Sequence, residues 1–151
     1  APRHAPQTDQ GLKSLSGKVF EYSLQVRWSD SDRLGHVNNT RFVEYLQEAR
    51  AHFITQVLME AVGSRGATVV RRLTVDFLRP IFDESGPLVI EVSILRIGRT
   101  SFQVKQRVLD VSGALCSEAE AVMVAFDLES QTPRALTDRE KSVLAEYEIA
   151  G

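Results

Sequence analysis

The chain has 151 residues, 18 lysines and arginines against 20 aspartates and glutamates, and a formal net charge of -2. This length suits one domain around one core, and the lack of a basic surplus argues against nucleic acid as the partner. The single cysteine, Cys116, excludes an internal disulfide and a C-x-x-C motif. A reducing compartment fits this cysteine content, and no apolar run approaches the ~20 residues of a membrane span. We therefore expect a cytoplasmic protein.

Residues 1–17 contain few apolar side chains and lack the apolar core of a signal peptide. We expect them to form a flexible tail, with one domain over residues 18–151. The first predicted element of that domain is a half-buried strand, because apolar residues alternate with polar ones there. The apolar positions of this strand are Phe20, Tyr22, Leu24, Val26 and Trp28.

A helix of roughly 20 residues is predicted over 41–62, where apolar residues recur every three or four positions. Asn39 or Thr40 is the expected N-cap, since either side chain accepts from a free backbone N–H of the first turn. Gly63 or Gly66 is expected to end the helix. The predicted apolar stripe consists of Phe42, Leu46, Ala49, Phe53, Val57 and Ala61.

Alternating patterns after this helix predict strands over 73–77, 88–94, 102–108 and 114–128, with Val122, Val124 and Phe126 on one face of the last strand. A short amphipathic helix is predicted over 137–147, with Thr137 and Glu140 forming a capping box. No β–α alternation repeats, so a doubly wound parallel sheet is disfavoured. We expect an α+β fold in which a curved antiparallel sheet wraps around one long helix. The exposed sheet edges indicate assembly into a homodimer or homotetramer.

A polar break of sequence WSDSDRLGHVNN separates the first strand from the long helix. It holds two carboxylates, Asp30 and Asp32, and more polar groups than a turn requires. The helix N-terminus beyond it offers unpaired backbone N–H groups, which can bind a carbonyl oxygen whose charge grows during attack. A carboxylate beside that carbonyl can attack directly or activate a water. These parts suit hydrolysis of an activated acyl group.

Three other interpretations of the break are weaker. A calcium loop matches Asp30, Asp32 and Gly35 but has Leu34 at its fifth position and Arg41 at its twelfth. A zinc site lacks partners for His36, and a phosphotransferase aspartate pair follows a parallel strand in a β–α repeat that this chain lacks. The plainest alternative is that both aspartates only cap a turn.

The WSDSDRLGHVNN segment followed by an aromatic-rich helix resembles the hotdog-fold acyl-CoA thioesterases of the 4-hydroxybenzoyl-CoA thioesterase-like family. Residues 45–53, 75–80 and 97–102 support the resemblance, which covers roughly residues 20–147. It implies a hotdog fold and hydrolysis of an acyl thioester carried by coenzyme A or by an acyl carrier protein. It implies no metal and no cofactor, with coenzyme A entering only as part of the substrate.

The resemblance also assigns candidate catalytic residues. The family's carboxylate, nucleophile or general base, falls on Asp32, and its carbonyl-polarising backbone N–H falls near Asn39. Plant acyl-carrier-protein thioesterases carry a related D-x-N-x-H-V-N-N element, which Asp32 and His36 match. Leu34 replaces the asparagine of that element, so His36 either acts directly or only orients Asp32, water or the loop. Asn38 and Asn39 are expected to brace the loop and cap the helix, because amides do not titrate.

Arg99, Thr100 and Ser101 match a turn that the family places near coenzyme A phosphates, often across a subunit interface. Arginine suits phosphate because it forms bidentate, charge-assisted hydrogen bonds, although a solvated hairpin turn explains the same residues. Glu44 and Glu48 share one helix face. One interpretation is that they face the site, as helical carboxylates do in another hotdog branch, but exposure to solvent or a pair with Arg41 or Arg50 is favoured.

Cys116 is expected to be buried and inert. The predicted function is acyl-CoA hydrolysis, with a hotdog hydratase or dehydratase and a non-catalytic acyl-CoA-binding module as alternatives.

Overall fold

The computed structural model describes residues 17–60 and 67–149. Two helices are defined, α1 (Asn39–Phe53), which continues into a π-helical turn (Ile54–Met59), and α2 (Asp138–Ala145). Short 3-10 turns cover Trp28–Asp30 and Asp83–Ser85. The strands are β1 (Phe20–Leu24), β2 (Ala67–Phe77), β3 (Leu88–Ile97), β4 (Ser101–Leu109), β5 (Leu115–Asp127) and β6 (Thr132–Pro133).

The strands form one antiparallel sheet in the order β1-β3-β4-β5-β2, with the short β6 beside the end of β5. Helix α1 is covered by this sheet, and its buried face includes Phe42, Tyr45, Leu46, Ala49 and Phe53. Each such large apolar side chain contributes roughly 1.5–3 kcal/mol by leaving water. The predicted α+β arrangement, a curved sheet around one helix, is confirmed.

The first strand is shorter than predicted. β1 ends at Leu24, which is paired with Leu88, the first residue of β3, so the ladder has no partner beyond this point. The chain instead forms the 3-10 turn at Trp28–Asp30, and Trp28 is 81% exposed. The alternation that continues to Trp28 therefore does not mark a buried face there.

The helix start also differs by one residue from the prediction. Asn38 is the N-cap, and its side-chain oxygen accepts from the backbone N–H of Thr40 at 2.8 Å. Asn39 and Thr40, the predicted caps, are already helical. The predicted helix end at Gly63 or Gly66 and residues 1–16 of the predicted tail lie outside the described residues.

The π-helical turn changes which side chains the end of α1 buries. Phe53 and Leu58 are buried, five residues apart, whereas Val57 of the predicted stripe is half-buried. A π turn adds a residue to the helical turn, so Leu58 is buried as well. Val57 still packs against the core, as predicted, although less deeply than Leu58.

The two faces of β5 carry different residues. Val122, Val124 and Phe126 share a face as predicted, but the core lies on the other face, which is built mainly from Ala119, Ala121, Met123 and Ala125. Alanines leave room for the central helix on the concave side of the sheet. At the end of the chain the predicted capping box of α2 is confirmed: Thr137 accepts from Glu140 N at 3.0 Å, and Glu140 accepts from Thr137 N at 2.8 Å.

Candidate active site

The polar break folds into a tight loop in front of α1. Asp32 N–H donates to the His36 carbonyl at 2.7 Å, and Gly35 N–H donates to the Asp32 carbonyl at 3.0 Å. Gly35 has a φ of +84°, a conformation that L side chains rarely adopt, so glycine is required at this turn. Val37 N–H donates to the Ile81 carbonyl at 2.8 Å and ties the loop to the segment after β2.

Asp30 is the structural member of the aspartate pair. Its side chain is only 10% exposed, and it accepts a hydrogen bond from the Tyr45 hydroxyl at 2.7 Å. The guanidinium groups of Arg27 and Arg41 lie 3.4 Å and 3.7 Å from its carboxylate oxygens. Burial raises the pKa of Tyr45 to about 12, and the hydrogen bond to Asp30 adds to this shift. These contacts fix the loop on the side of α1.

Asp32 is the exposed member of the pair. Its Oδ1 atom accepts from the backbone N–H groups of Leu34 at 2.9 Å and His36 at 3.3 Å. Its Oδ2 atom has no hydrogen-bond donor among the described residues. One oxygen therefore positions the carboxylate, and the other is available to a substrate. Leu34 contributes its backbone N–H to this arrangement, and its side chain is exposed.

The start of α1 leaves a backbone donor free. The Asn38 side chain accepts a hydrogen bond from the backbone N–H of Thr40. The Asn38 carbonyl accepts one from Phe42 N at 3.0 Å. The backbone N–H of Asn39 has no hydrogen-bond acceptor within residues 17–60 and 67–149. A free N–H at the positive end of a helix is the kind of donor that stabilises an oxyanion.

A cavity of about 230 Å³, here called the site cavity, opens at this helix start. Asn39 and Phe42 of α1 line one side, and Phe77 at the end of β2 lies opposite, with its ring 5.4 Å from that of Phe42. His36 also lines the cavity, and its ring packs edge-on against Phe82 at 4.8 Å. The structure thus brings His36 and Asn39 together at one cavity, with Asp32 hydrogen-bonded to the backbone of His36.

The helical glutamates are engaged elsewhere. Glu44 pairs with Arg41 at 3.0 Å, as one of the sequence-based interpretations predicts. Glu48 accepts from Arg27 at 2.7 Å and from the Tyr22 hydroxyl at 2.6 Å, so its partner is Arg27 and not Arg50. Partial burial opposes ionisation of Glu48, but these two hydrogen bonds outweigh it and hold its pKa below the usual value.

Arg99 and Thr100 lie in the β3–β4 turn, and Ser101 begins β4, far along the sheet from the site cavity. The Arg99 and Thr100 carbonyls accept from Leu136 N at 2.8 Å and Ala125 N at 2.9 Å. Ser101 lines a second cavity of about 570 Å³, here called the basic cavity, whereas Arg99 and Thr100 do not.

Three arginines that the sequence patterns did not single out line the basic cavity: Arg71, Arg72 and Arg96. None of them has a carboxylate partner among the described residues. Arg72 and Arg96 lie in one row across four strands of the sheet. The register pairs Arg72 with Val122, Val122 with Gln103, and Gln103 with Arg96. The adjacent Arg71-Arg72 pair is the sequence signal that could have pointed to this cluster, but it becomes informative only once the register is known.

Cys116 is fully buried, as predicted. Burial raises the pKa of its thiol to about 11, with the charge of Asp110 adding to the shift. The thiol is therefore neither exposed nor prone to ionise. Over the described part of the chain, no group of three His, Cys, Asp or Glu side chains is placed to hold a metal ion.

Comparison with known proteins identifies the family. The model of the thioesterase-like superfamily matches residues 26–146. The chain belongs to that superfamily. The acyl-CoA thioester hydrolase YbgC of Escherichia coli O157:H7 is 32% identical over 140 residues, which are 88% of this chain and 98% of YbgC. The predicted family is thereby confirmed.

Solved structures of thioesterases have the same fold as this superfamily member. A predicted thioesterase from Bacillus stearothermophilus superposes with a TM-score of 0.78 at 24% identity, over 89% of this chain and 100% of that one. A thioesterase from Thermus thermophilus, solved with coenzyme A and Zn, gives a TM-score of 0.72 at 28% identity, over 82% and 95%. The predicted hotdog fold and thioester hydrolase class are confirmed. Among the described residues, no helix is long and apolar enough to cross a membrane.

Proposed function

We propose that the chain hydrolyses acyl-CoA thioesters, with Asp32 as the nucleophile or general base and the Asn39 N–H polarising the thioester carbonyl. The observation that carries this proposal is the Asp32 carboxylate, which is fixed through Oδ1 and has no donor among the described residues at Oδ2. Asp32 does not itself line the site cavity, but it lies on the loop that leads into a helix start with a free N–H. The name of YbgC and the coenzyme A bound to the Thermus thioesterase support the substrate class.

The reaction follows from these two groups. In the nucleophilic form, Asp32 Oδ2 adds to the carbonyl carbon, and the negative charge that develops on the carbonyl oxygen is stabilised by the Asn39 N–H. Collapse breaks the carbon–sulfur bond and expels coenzyme A as a thiolate, which takes a proton from water. A second water then hydrolyses the mixed anhydride and restores Asp32. In the general-base form, Asp32 takes a proton from the attacking water. His36, at the same cavity, orients that water or Asp32.

The proposal includes a homodimer formed through β2, alone or as half of a tetramer. In the described sheet β2 pairs only with β5, and its other edge is free. Val69, Val70 and Phe77 along this strand are exposed. A free edge strand of 11 residues that exposes apolar side chains is a template for a second copy, and two-fold symmetry makes the pairing antiparallel.

Antiparallel pairing would also explain the distance between the site cavity and the basic cavity. The site cavity lies at the Phe77 end of β2, and the β3–β4 turn lies level with the opposite end, near Val69. In a two-fold pair the turn and the arginines of one subunit lie at the same end of the paired β2 strands as the site cavity of the other. We therefore assign the coenzyme A phosphates to Arg71, Arg72, Arg96 and Ser101, and to the neighbouring Arg99 and Thr100.

The decisive experiment on the chemistry replaces Asp32 by asparagine. We expect Asp32→Asn to fold and bind acyl-CoA but to lose thiol release by a factor of about 10³ or more, because the amide neither attacks nor accepts a proton. Free thiol is measured across a panel of saturated acyl-CoA substrates. Asp127→Asn is the matched control, since Asp127 is another exposed aspartate that accepts from a turn N–H, that of Glu129 at 2.9 Å.

Near-normal turnover by Asp32→Asn would contradict the mechanism. A wild-type protein that binds acyl-CoA but releases no thiol from any member of the panel would show a non-catalytic binding module instead.

The phosphate assignment is tested with a truncated substrate. Arg72→Ala or Arg96→Ala is expected to raise KM for acyl-CoA about tenfold, because a charge-assisted hydrogen bond of about 1.4 kcal/mol or more is lost. KM for the matching acyl-N-acetylcysteamine thioester, which carries no phosphate, should stay constant. Arg139→Ala, on the exposed side of α2, is the control. Equal effects on both substrates would remove the phosphate assignment.

A further inference from the structure

A third cavity lies between helix α1 and edge strand β2. It has a volume of about 570 Å³, within the range of small-molecule sites. We call it the groove cavity. Gln47, Arg50 and Ile54 line it from the helix side, and Val70 and Met123 line it from the sheet side. The site cavity is lined by the same two elements, at the start of α1 and the end of β2. The two cavities are separate openings between the same helix and the same strand, and we call this helix–strand seam the groove.

Arg50 is unusual among the mainly apolar side chains that line the groove cavity, because it is charged. It is 5% exposed, and its Nη1 atom donates to the amide oxygen of Gln106 at 3.0 Å. Gln106 is itself buried and donates to the Leu46 carbonyl at 2.9 Å. Neither contact supplies a negative charge. The described residues provide no carboxylate for this guanidinium, and burial lowers the pKa of Arg50.

The remaining nitrogens of Arg50 keep some accessible surface. They have no protein acceptor among the described residues, yet they are not among the buried, unsatisfied atoms of the structure. They are therefore reached from the groove cavity that Arg50 lines. A buried cation is normally paired, and a planar guanidinium matches a carboxylate through two parallel hydrogen bonds.

We propose that the groove binds acyl groups that carry a carboxylate at the end distal to the thioester, and that Arg50 is the residue that selects them. The proposal rests on the proposed thioester hydrolysis and specifies its substrate class. The apolar side chains Ile54, Val70 and Met123 cover the methylene chain, and Arg50 pairs with the terminal carboxylate.

The helix sets the length of that chain. Asn39 and Arg50 are 11 residues apart, which corresponds to about 16 Å along α1. An extended chain advances about 1.2 Å per bond, so roughly a dozen bonds separate the thioester carbonyl from the terminal carboxylate. The Arg50 side chain shortens this distance where it leans toward the helix N-terminus. Medium-length dicarboxylic acyl groups fit best.

The test compares two series of CoA thioesters with equal carbon numbers, one of plain fatty acids and one of ω-carboxylated acids. We expect the wild-type enzyme to favour the carboxylated member in kcat/KM by about tenfold or more at medium length, with no preference at short length. Arg50→Met should remove that preference while hydrolysis of the plain series stays within about threefold. Arg139→Met, outside the groove, should keep the wild-type preference.

A second variant guards against a folding defect at position 50. Gln106→Glu keeps Arg50 and places a carboxylate near Nη1, so it should abolish the carboxylate preference without removing the cation. The proposal is overturned if no length shows a carboxylate preference, or if the preference survives both Arg50→Met and Gln106→Glu. It is also overturned if Arg50→Met lowers both series equally or dissociates the oligomer, which would show a structural or interface role. Failure of every thioester to release thiol would instead overturn the proposed function.

Discussion

Two aspartates that are two residues apart have separate roles because of what surrounds them. Asp30 is held by the Tyr45 hydroxyl and by two arginines, and little of it reaches solvent. Asp32 turns outward, and its carboxylate accepts hydrogen bonds from the backbone N–H groups of Leu34 and His36 alone among the described residues. The D-x-D spacing therefore joins one side chain that anchors the loop to α1 with one that is open to a substrate.

Tyr45→Phe tests the anchoring role of Asp30. The phenol of Tyr45, with its pKa near 12, stays a hydrogen-bond donor over the whole range in which the protein is handled. Removal of the hydroxyl leaves the nearly buried Asp30 carboxylate without that donor. We therefore expect the free energy of unfolding to fall by about 1–2 kcal/mol. Urea titration measures the change. Phe126→Leu, on the outer sheet face, is the reference, and a Tyr45→Phe midpoint equal to wild type would contradict the anchor.

The sequence predicted which residues of the loop are candidates for the site, but it did not predict which of them caps the helix. Asn38, Asn39 and Thr40 all carry capping side chains, and only the backbone conformation decides that Asn38 is the cap. The candidate pair His36 and Asn39 does line one cavity. The basic cavity joins strands that are distant in sequence, so its arginines become neighbours only through the register across β5 and β4.

At the scale of elements, hydrophobic periodicity predicted the order of strands and helices because each one buries a single face. The exceptions have local causes. The π turn after Phe53 adds a residue and buries Leu58 more deeply than Val57, which still packs against the core. β1 stops where β3 begins, so alternation beyond Leu24 has no ladder to join. The short strand β6 was not predicted, since two residues are too few to show a period.

Helix α2 provides a pH-dependent test at this scale. Hydrogen bonds from Arg134, at 2.9 Å and 2.8 Å, hold the pKa of Glu140 below its usual value, although burial opposes the shift. A lowered folded-state pKa adds stability above the usual pKa, and that stability is lost as the pH falls through the folded-state value. We expect Glu140→Gln to lower the free energy of unfolding at pH 7 by about 2 kcal/mol.

The difference between Glu140→Gln and wild type should shrink as the pH falls below about 4. Urea unfolding of both proteins at pH 7 and pH 3 measures it, with the exposed Glu129→Gln as the control. A constant difference between the two pH values would show that ionisation of Glu140 is not its source.

At the scale of the whole molecule, the sheet is asymmetric. One edge is the short strand β1, and the other is the long strand β2 with exposed apolar side chains. Both the site cavity and the groove cavity open beside β2. A second subunit on this edge would close the groove, which couples assembly to catalysis in the proposed function.

Charging the free edge tests that coupling. We expect the double variant Val69→Lys, Thr74→Lys to be monomeric in sedimentation velocity, because edge lysines oppose strand pairing, and to lose at least tenfold in kcat/KM. Leu128→Lys adds charge at an exposed apolar residue away from β2 and should leave both properties unchanged. A monomeric wild type with full activity would contradict the dimer.

The buried thiol of Cys116 allows opening motions of the protein to be measured by chemical labelling. The only thiol of the chain lies near the start of β5 with no exposed surface, so an alkylating reagent reaches it only when the structure around it opens. At low reagent concentration the labelling rate then reports the population of opened molecules, as amide exchange does. A ligand that binds only the closed form slows labelling in proportion to its occupancy. Substrate analogues can thus be ranked by protection of one sulfur atom, without any turnover.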